Sequence, residues 1–237
     1  MKVALVDCRM NVECQRNLLK QGFFLIPMPA SNNLPPPLAS HPDMLVAKLG
    51  DNIITTADYI ESFPHVFSDI REYAPHIKIH VTDEKFSKNY PFDAILNDLV
   101  MGKRVYIKKD SASLALQSLL HALGYKTVNT KQGYPACTVL PLSDTEAITS
   151  DSGLKETLTE NGVHVTLIEN GGISLPPYEY GFIGGACGVL EKTVYFIGDV
   201  SHHKNATKIL KALNSCGMQH VSLSSDTLSD MGRIIFL

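Results

Sequence analysis

Two hydrophobic periods take turns along the chain. Short β-prone runs, several alternating apolar and polar residues at period two, lie at Phe23–Met28, Ile77–Val81, Tyr125–Asn129, Val163–Ile168 and His220–Leu223. Each follows a segment of helical period: Ala112, Leu116, Leu119, Leu120 and Leu123 share one face of one segment, and Ala206, Ile209, Leu210 and Leu213 share a face of another. Four of these helices are expected to stop at Gly22, Gly124, Gly162 and Gly217, because glycine tolerates the left-handed conformation past a helix end. The helix after Asp58 is expected to end near Pro75. Ahead of the later helices, Met44–Thr56, Ala94–Lys108, Thr138–Thr149 and Gly188–Ile197 each read as two strands around a turn, at Gly50-Asp51, Gly102-Lys103, Ser143-Asp144 and Glu191-Lys192.

An aspartate marks each passage from strand to helix, at Asp7, Asp58, Asp110, Asp151 and Asp199, about 40 to 50 residues apart. The recurrence predicts one strand–strand–helix–strand unit used five times, with helix N-capping as the shared task of the aspartates. The first unit lacks its opening strand, while the apolar Arg233–Leu237 has no helix after it. Pairing of Gly232–Leu237 with Lys2–Val6 would supply the missing strand and remove exposed sheet edges. The predicted fold is therefore α/β: a five-fold pseudosymmetric α/β propeller of ββαβ units closed by its terminal strands. It forms a single domain over residues 1–237, with units at 230–237 plus 1–29, 43–82, 93–130, 137–170 and 187–226. The connections Pro29–Pro42, Thr82–Pro91 and Gly171–Gly184 are expected at the surface or over a central mouth.

Composition narrows the function. With 44% hydrophobic and 19% charged residues and a formal charge of −3, the chain lacks the cationic excess that phosphate backbones require, so nucleic acid is not an expected partner. No apolar run approaches the roughly 20 residues that span a bilayer, and Asp7 interrupts the opening stretch where a signal peptide would continue, so no membrane association and a cytoplasmic location are expected. The five cysteines are odd in number and form no CxxC pair, which points to reduced thiols and neither a disulfide framework nor a zinc knuckle.

Two motifs invite cofactors and fail on context. In the run Tyr195–His203, Asp199, His202 and His203 are acceptable metal ligands, but Asp199 fills the slot of four other aspartates, so no metal is expected. Gly184-Gly185-Ala186-Cys187-Gly188 leads into a predicted strand instead of a helix, which excludes a dinucleotide fingerprint; no cofactor is expected. The repeat instead aligns Asp43, Asp93, Cys137, Cys187 and Asp230, each just ahead of a first strand. Three carboxylates and two thiols would then converge on one mouth. Tyr178 and Tyr180, with Phe182 beyond, would serve as a lid or simply pack the loop.

Five such units closed by the termini resemble the pentein fold of guanidino-group-modifying enzymes, which include arginine deiminases, dimethylarginine hydrolases and amidinotransferases; a ribosome anti-association factor uses the same ring. The chain is also similar to an uncharacterised bacterial family of that fold. There Ser40-His41-Pro42-Asp43, Gln132-Gly133-Tyr134 with Cys137, and Tyr180-Gly181-Phe182-Ile183-Gly184-Gly185-Ala186 look like signature segments. His41-Pro42-Asp43 resembles the His-x-Asp segment of the deiminases, and Cys137-Thr138 their Cys-x-Thr neighbourhood. The resemblance implies a Cys-dependent hydrolase or transferase acting on a guanidine or amidine compound, with Cys137 as nucleophile and His41 as proton shuttle. Asp43, Asp93 and Asp230 would hold this small cationic molecule, with Gln132 and Tyr180 as further contacts. Those enzymes carry the cysteine in their final unit, often directly after a histidine, whereas Cys137 lies in the fourth and follows Ala136. The alternative is a non-catalytic protein that binds a small ligand or a macromolecule on the same fold, with Cys137 and Cys187 as inert packed thiols and His41 as a loop residue.

Overall fold

The computed structural model describes residues 2–237; Met1, the first residue of the predicted domain, lies outside them. The chain opens with β1 (Lys2–Asp7), α1 (Val12–Lys20) and β2 (Phe23–Met28). There follow α2 (Pro42–Leu45), β3 (Ala47–Leu49), β4 (Asn52–Thr56), α3 (Ala57–Ser62), α4 (Pro64–Tyr73) and β5 (Lys78–Thr82). The next segment holds β6 (Leu99–Met101), β7 (Arg104–Ile107), α5 (Leu114–Ala122) and β8 (Lys126–Asn129). After it come α6 (Pro135–Thr138), β9 (Val139–Pro141), β10 (Glu146–Thr149), α7 (Ser152–Glu160), β11 (His164–Leu167) and the short β12 (Ile173–Ser174). The last part carries β13 (Cys187–Leu190), β14 (Thr193–Phe196), α8 (Ala206–Ser215), β15 (Gln219–Ser222), β16 (Leu228–Ser229) and β17 (Ile235–Phe236).

Five three-stranded sheets result, and their strands run in one order: β17-β1-β2, β3-β4-β5, β6-β7-β8, β9-β10-β11 and β13-β14-β15. In each, the middle strand pairs antiparallel with the first and parallel with the third, across the intervening helix. A sixth, two-stranded sheet joins β12 to β16 in parallel. Cores are shared between neighbouring sheets. One cluster joins Leu5 and Ile26 to Ile53 and Val105; others join Tyr106 to Val139 and Ala147, Ile148 to Phe196, and Tyr195 back to Val6 and Phe23.

Local differences from the sequence reading have identifiable causes. The segment after Asp58 breaks into α3 and α4, because Pro64 cannot continue a helix but starts one at its first position. The aspartates do not share one task. Asp151 caps α7 through the Leu154 amide at 2.7 Å, and Asp199 accepts from the Ser201 amide at 2.8 Å ahead of one 3-10 turn. Asn11 and Ser113 cap α1 and α5, which displaces Asp7 and Asp110 from that role, and Asp58 lies inside the first turn of α3. The connection 29–42 is not a surface loop throughout: Leu38 to Pro42 are buried. The final strand is two residues long because Gly232 and Arg233 take φ of 67° and 66° and turn the chain inward before it reaches β1. Leu237 prolongs the pairing by donating its amide to the Val3 carbonyl at 2.9 Å.

Closure of β17 on β1 is sealed by Phe236, which lies 4.8 Å from the Phe23 ring and 5.3 Å from the Tyr195 ring. Removing a buried phenyl group loses both its transfer energy and its packing. Phe236→Ala is expected to lower unfolding free energy by about 3 kcal/mol or more in urea titration. A loss below about 1 kcal/mol would show that the terminal strand does not hold the fold together.

Candidate active site

The segments that position the site are short and nearly all buried. α2 and α6 are single turns, each begun by a proline at its first position, and each presents its third-from-last or second-from-last residue toward the other: Asp43 from α2, Cys137 from α6. The Cys137 thiol donates to Asp43 Oδ2 at 2.9 Å. Asn97 locks the pair from the side. Its Nδ2 donates to Cys137 Sγ at 3.2 Å and to the Asp43 carbonyl at 3.1 Å, while its Oδ1 accepts from the Ala136 amide at 2.9 Å.

His41 precedes α2 and is fully buried, yet neither ring nitrogen has a hydrogen-bond partner among the described residues. Its Nδ1 lies 4.0 Å from Asp230 Oδ1 and its Nε2 3.9 Å from Asp7 Oδ2. Asp7 is otherwise engaged: Ser40 Oγ donates to its Oδ1 at 2.8 Å, and Arg9 to its Oδ2 at 2.7 Å. Asp230 accepts from the amides of Phe182 at 2.9 Å and Gly232 at 3.1 Å. The 180–186 segment wedges between these parts. The Gly185 amide donates to the Cys137 carbonyl at 2.7 Å, and a β-carbon on Gly185 would stand 2.0 Å from Asp230 Oδ1. A β-carbon on Gly232 would stand 2.1 Å from that of His41. Glycine at both places permits backbone to approach the site where any side chain would displace it.

These groups meet at the buried end of a cavity of about 590 Å³, onto which His41, Cys137 and Asp230 all face. Aromatic rings form its walls: Tyr90 and Tyr134, 5.4 Å apart, with Tyr178, Tyr180 and Phe182. Gln132 also lines it, donating to Thr138 Oγ1 and accepting from the Tyr134 amide. On the far side of the Cys137–Asp43 pair, a second cavity of about 260 Å³ is lined by Asp43, Asp98 and Arg233. Asp43 Oδ1 and Asp98 Oδ2 are buried there without partners.

Burial sets the protonation states. It lifts Asp43 to about 6 and Asp98 and Asp230 to about 7, against partial relief from hydrogen bonds and the Arg233 charge. It pushes the Cys137 thiol well above the ordinary range, and the charges of Asp43 and Asp230 push the same way. It lowers His41 to about 4, the attraction of Asp7 being the smaller effect. The resting site near neutral pH thus combines a protonated thiol, a neutral imidazole and carboxylates close to half-titration.

The sequence-derived residues divide in space. Asp43, Asp230, His41 and Cys137 come together; His41, Cys137 and Asp230 line the first cavity with Gln132 and Tyr180, while Asp43 lies behind the thiol and lines the second. Asp93 stands behind the wall, where it accepts from the Tyr134 hydroxyl. Cys187 is a buried core thiol donating to the Ile183 carbonyl at 3.2 Å, pushed up to about 12 by burial. The convergence of all five aligned positions is therefore corrected to three. Asn97 and Asp98 escaped the sequence reading, although Asn97 lies two residues ahead of β6, as Cys137 does of β9, and Tyr134 entered it only as part of the segment Gln132-Gly133-Tyr134. Asp93 lies six residues ahead of β6, four earlier than Asn97. Near β14, Asp199 serves its cap and His203 Nδ1 accepts from the Asn205 amide. Among the described residues, no group of three or more His, Cys, Asp or Glu is placed to hold a metal ion, and no helix is long and apolar enough to cross a membrane.

Solved structures share this architecture across most of the chain. A dimethylarginine dimethylaminohydrolase from Pseudomonas aeruginosa, complexed with citrulline, is similar at a TM-score of 0.56 and 10% identity, covering 93% of this chain and 90% of that one. An amidinotransferase of saxitoxin biosynthesis from Microseira wollei gives 0.56 at 11% identity, covering 94% and 77%. The inosamine-phosphate amidinotransferase of Streptomyces griseus gives 0.55 at 14% identity, covering 94% and 81%. The fold is thus the pentein fold of guanidino-group-modifying enzymes. Within it the chain belongs to DUF6873, a family of unknown function whose model matches residues 5–235. No curated protein matches the sequence.

The buried carboxylates make stability fall with pH. A carboxyl raised in the folded state binds its proton more tightly there, so its contribution is full below the ordinary carboxylate range and is lost as pH rises toward 7. His41 acts oppositely: lowered to about 4, it contributes fully above its ordinary value and less as pH falls through the range between. Asp98→Asn removes one carboxylate and keeps the shape. Relative to the parent it should gain about 2 kcal/mol in urea titration between pH 5 and pH 8. A difference independent of pH would contradict the raised Asp98.

Proposed function

We propose that this protein is a Cys-dependent hydrolase or transferase acting on a small guanidine or amidine compound. The observation that carries the reading is the meeting of the Cys137 thiol, the unpartnered His41 ring and the Asp230 carboxylate at the closed end of one aromatic-walled cavity. A guanidinium ion is planar and cationic. Tyrosine rings suit its face and carboxylates its N–H edges. The five like-ordered sheets, with the last strand paired to the first and cores shared between neighbours, support a closed five-membered ring with this cavity at its centre.

In this reading the cation, once bound in the cavity beside Asp230 and Cys137, lowers the cost of forming a thiolate. The thiol proton passes to Asp43 and sulfur bonds to the guanidinium carbon. The departing nitrogen leaves as its C–N bond breaks, taking a proton held by the His41–Asp230 pair. Water then attacks the S-linked carbon and returns one proton to His41, and its second goes to solvent, where the departed amine takes one up. The C–S bond breaks and Cys137 recovers its proton from Asp43. In a transferase an amine replaces the water. Asp93 acts indirectly, by fixing the Tyr134 hydroxyl and with it the cavity wall. Gln132 holds Thr138 and Tyr134 in place on the opposite flank.

A cationic haloacetamidine distinguishes this chemistry from an inert thiol. It should alkylate buried Cys137 in preference to the exposed Cys8, as read by peptide mass spectrometry, and guanidine compounds should protect the site. Neutral iodoacetamide should show the reverse preference, because burial excludes it and nothing in the site attracts it. Labelling of Cys8 with Cys137 untouched by the amidine would reject the nucleophile and favour a binding protein.

A further inference from the structure

The cavity has a chemical polarity along its length that speaks to the rest of the ligand. This question rests on the guanidine reading of the buried end, because it concerns what must lie beyond that group. The volume of about 590 Å³ is within the range of small-molecule pockets, roughly 300 to 1,000 Å³, and exceeds what a bare guanidinium fills. Past the aromatic walls the cavity opens between the start of α7, with Asp151, and the loop carrying Glu179. Glu179 is exposed and Asp151 half-buried, which places them at the outer end, opposite the fully buried His41 whose free ring faces into the cavity.

Among the described residues, no Lys or Arg lines this cavity. A substrate with an α-carboxylate would bring its anion to an outer end that offers two carboxylates and no cationic side chain. The N-terminus of α7 is the one feature there that favours an anion, and it is worth about half a positive charge. Asp151 already occupies it: Oδ1 accepts from the Leu154 amide at 2.7 Å, leaving Oδ2 outside the cap. The carboxylates of Asp151 and Glu179 outweigh the residual half charge of the helix end.

We infer that the ligand is a guanidine or amidine whose far end is an amine, so that it is cationic at both ends, and that Asp151 and Glu179 select that amine over a carboxylate. Charge at both ends also matches the acidic buried end, where Asp230 faces the cavity and Asp43 stands behind the Cys137 thiol. The aromatic walls between suit a short apolar spacer. Asp151 and Glu179 are specificity residues at the entrance; neither touches the reacting carbon.

Three probes of equal chain length test this on the full-length protein: butylguanidine, 4-aminobutylguanidine and 4-guanidinobutyrate, titrated by ligand-observed NMR. The amine-tailed probe should bind about tenfold more tightly than butylguanidine and the carboxylate-tailed probe about tenfold more weakly, the scale of two partly solvated charges. In Asp151→Asn combined with Glu179→Gln, where asparagine still caps α7, the three affinities should fall within about threefold of one another while butylguanidine is unchanged. Equal or tighter binding of the carboxylate probe overturns the inference and leaves the guanidine reading standing. So does a ranking that survives in the double variant. If none of the three binds, the guanidine reading itself falls and this inference with it.

Discussion

The Cys137 thiol donates to a carboxylate that is itself out of water, and the surrounding structure is arranged around that bond. An ionised carboxylate with one oxygen unpartnered in the interior costs several kcal/mol, so Asp43 is stable there only because a proton is nearby to share. The thiol supplies it, and Asn97 fixes both partners from one side. The backbone follows. The Asp43 amide donates to the Gly232 carbonyl at 3.1 Å, and the Met231 and Arg233 amides both donate to the Gly185 carbonyl at 3.0 Å. Through these bonds the chain ends, the 180–186 segment and the two single-turn helices are drawn to one point. The positive φ at Arg233, which bears a side chain, is the local cost of that geometry.

The electrostatic state that follows is acidic and proton-rich, not charged. Three buried carboxyls lie near neutrality in their titration, the thiol is held protonated, and His41 is neutral. Such a site resists forming a thiolate while it is empty. A bound cation changes the balance, since its charge stabilises a thiolate beside it. In the proposed reading, the reactivity of the thiol would therefore depend on the ligand.

The sheets were legible because period-two runs and glycine stops are local. Gly22, Gly124, Gly162 and Gly217 each take positive φ two residues past a helix, where their position in the sequence places them. The aspartate repeat was legible as spacing and misread as function. Capping depends on which side chain faces the free amides, and Asn11 and Ser113 sit closer to the first turn than Asp7 and Asp110 do. Asp7 was released to bind Arg9 and Ser40 beside His41. The site was half legible for a similar reason. Asp43, Cys137 and Asp230 stand four, two and five residues ahead of β3, β9 and β17, so aligning the units finds them without a fixed count. Asp93 stands six residues ahead of β6, and Cys187 begins β13 itself; both fall outside the cluster. Asn97 carries no chemical signature of its own, and its role exists in three dimensions alone.

The shared proton between Cys137 and Asp43 is open to direct observation through the S–H stretch in infrared difference spectra of the parent protein against Cys137→Ala. In the empty protein at pH 7 an S–H band assigned to Cys137 should be present and shifted to low frequency by its carboxylate acceptor. Saturation with a guanidine or amidine cation that binds the cavity should diminish it as the proton leaves sulfur. A band absent from the empty protein, or one untouched by a bound cation, would contradict a thiol whose ionisation is controlled by its ligand.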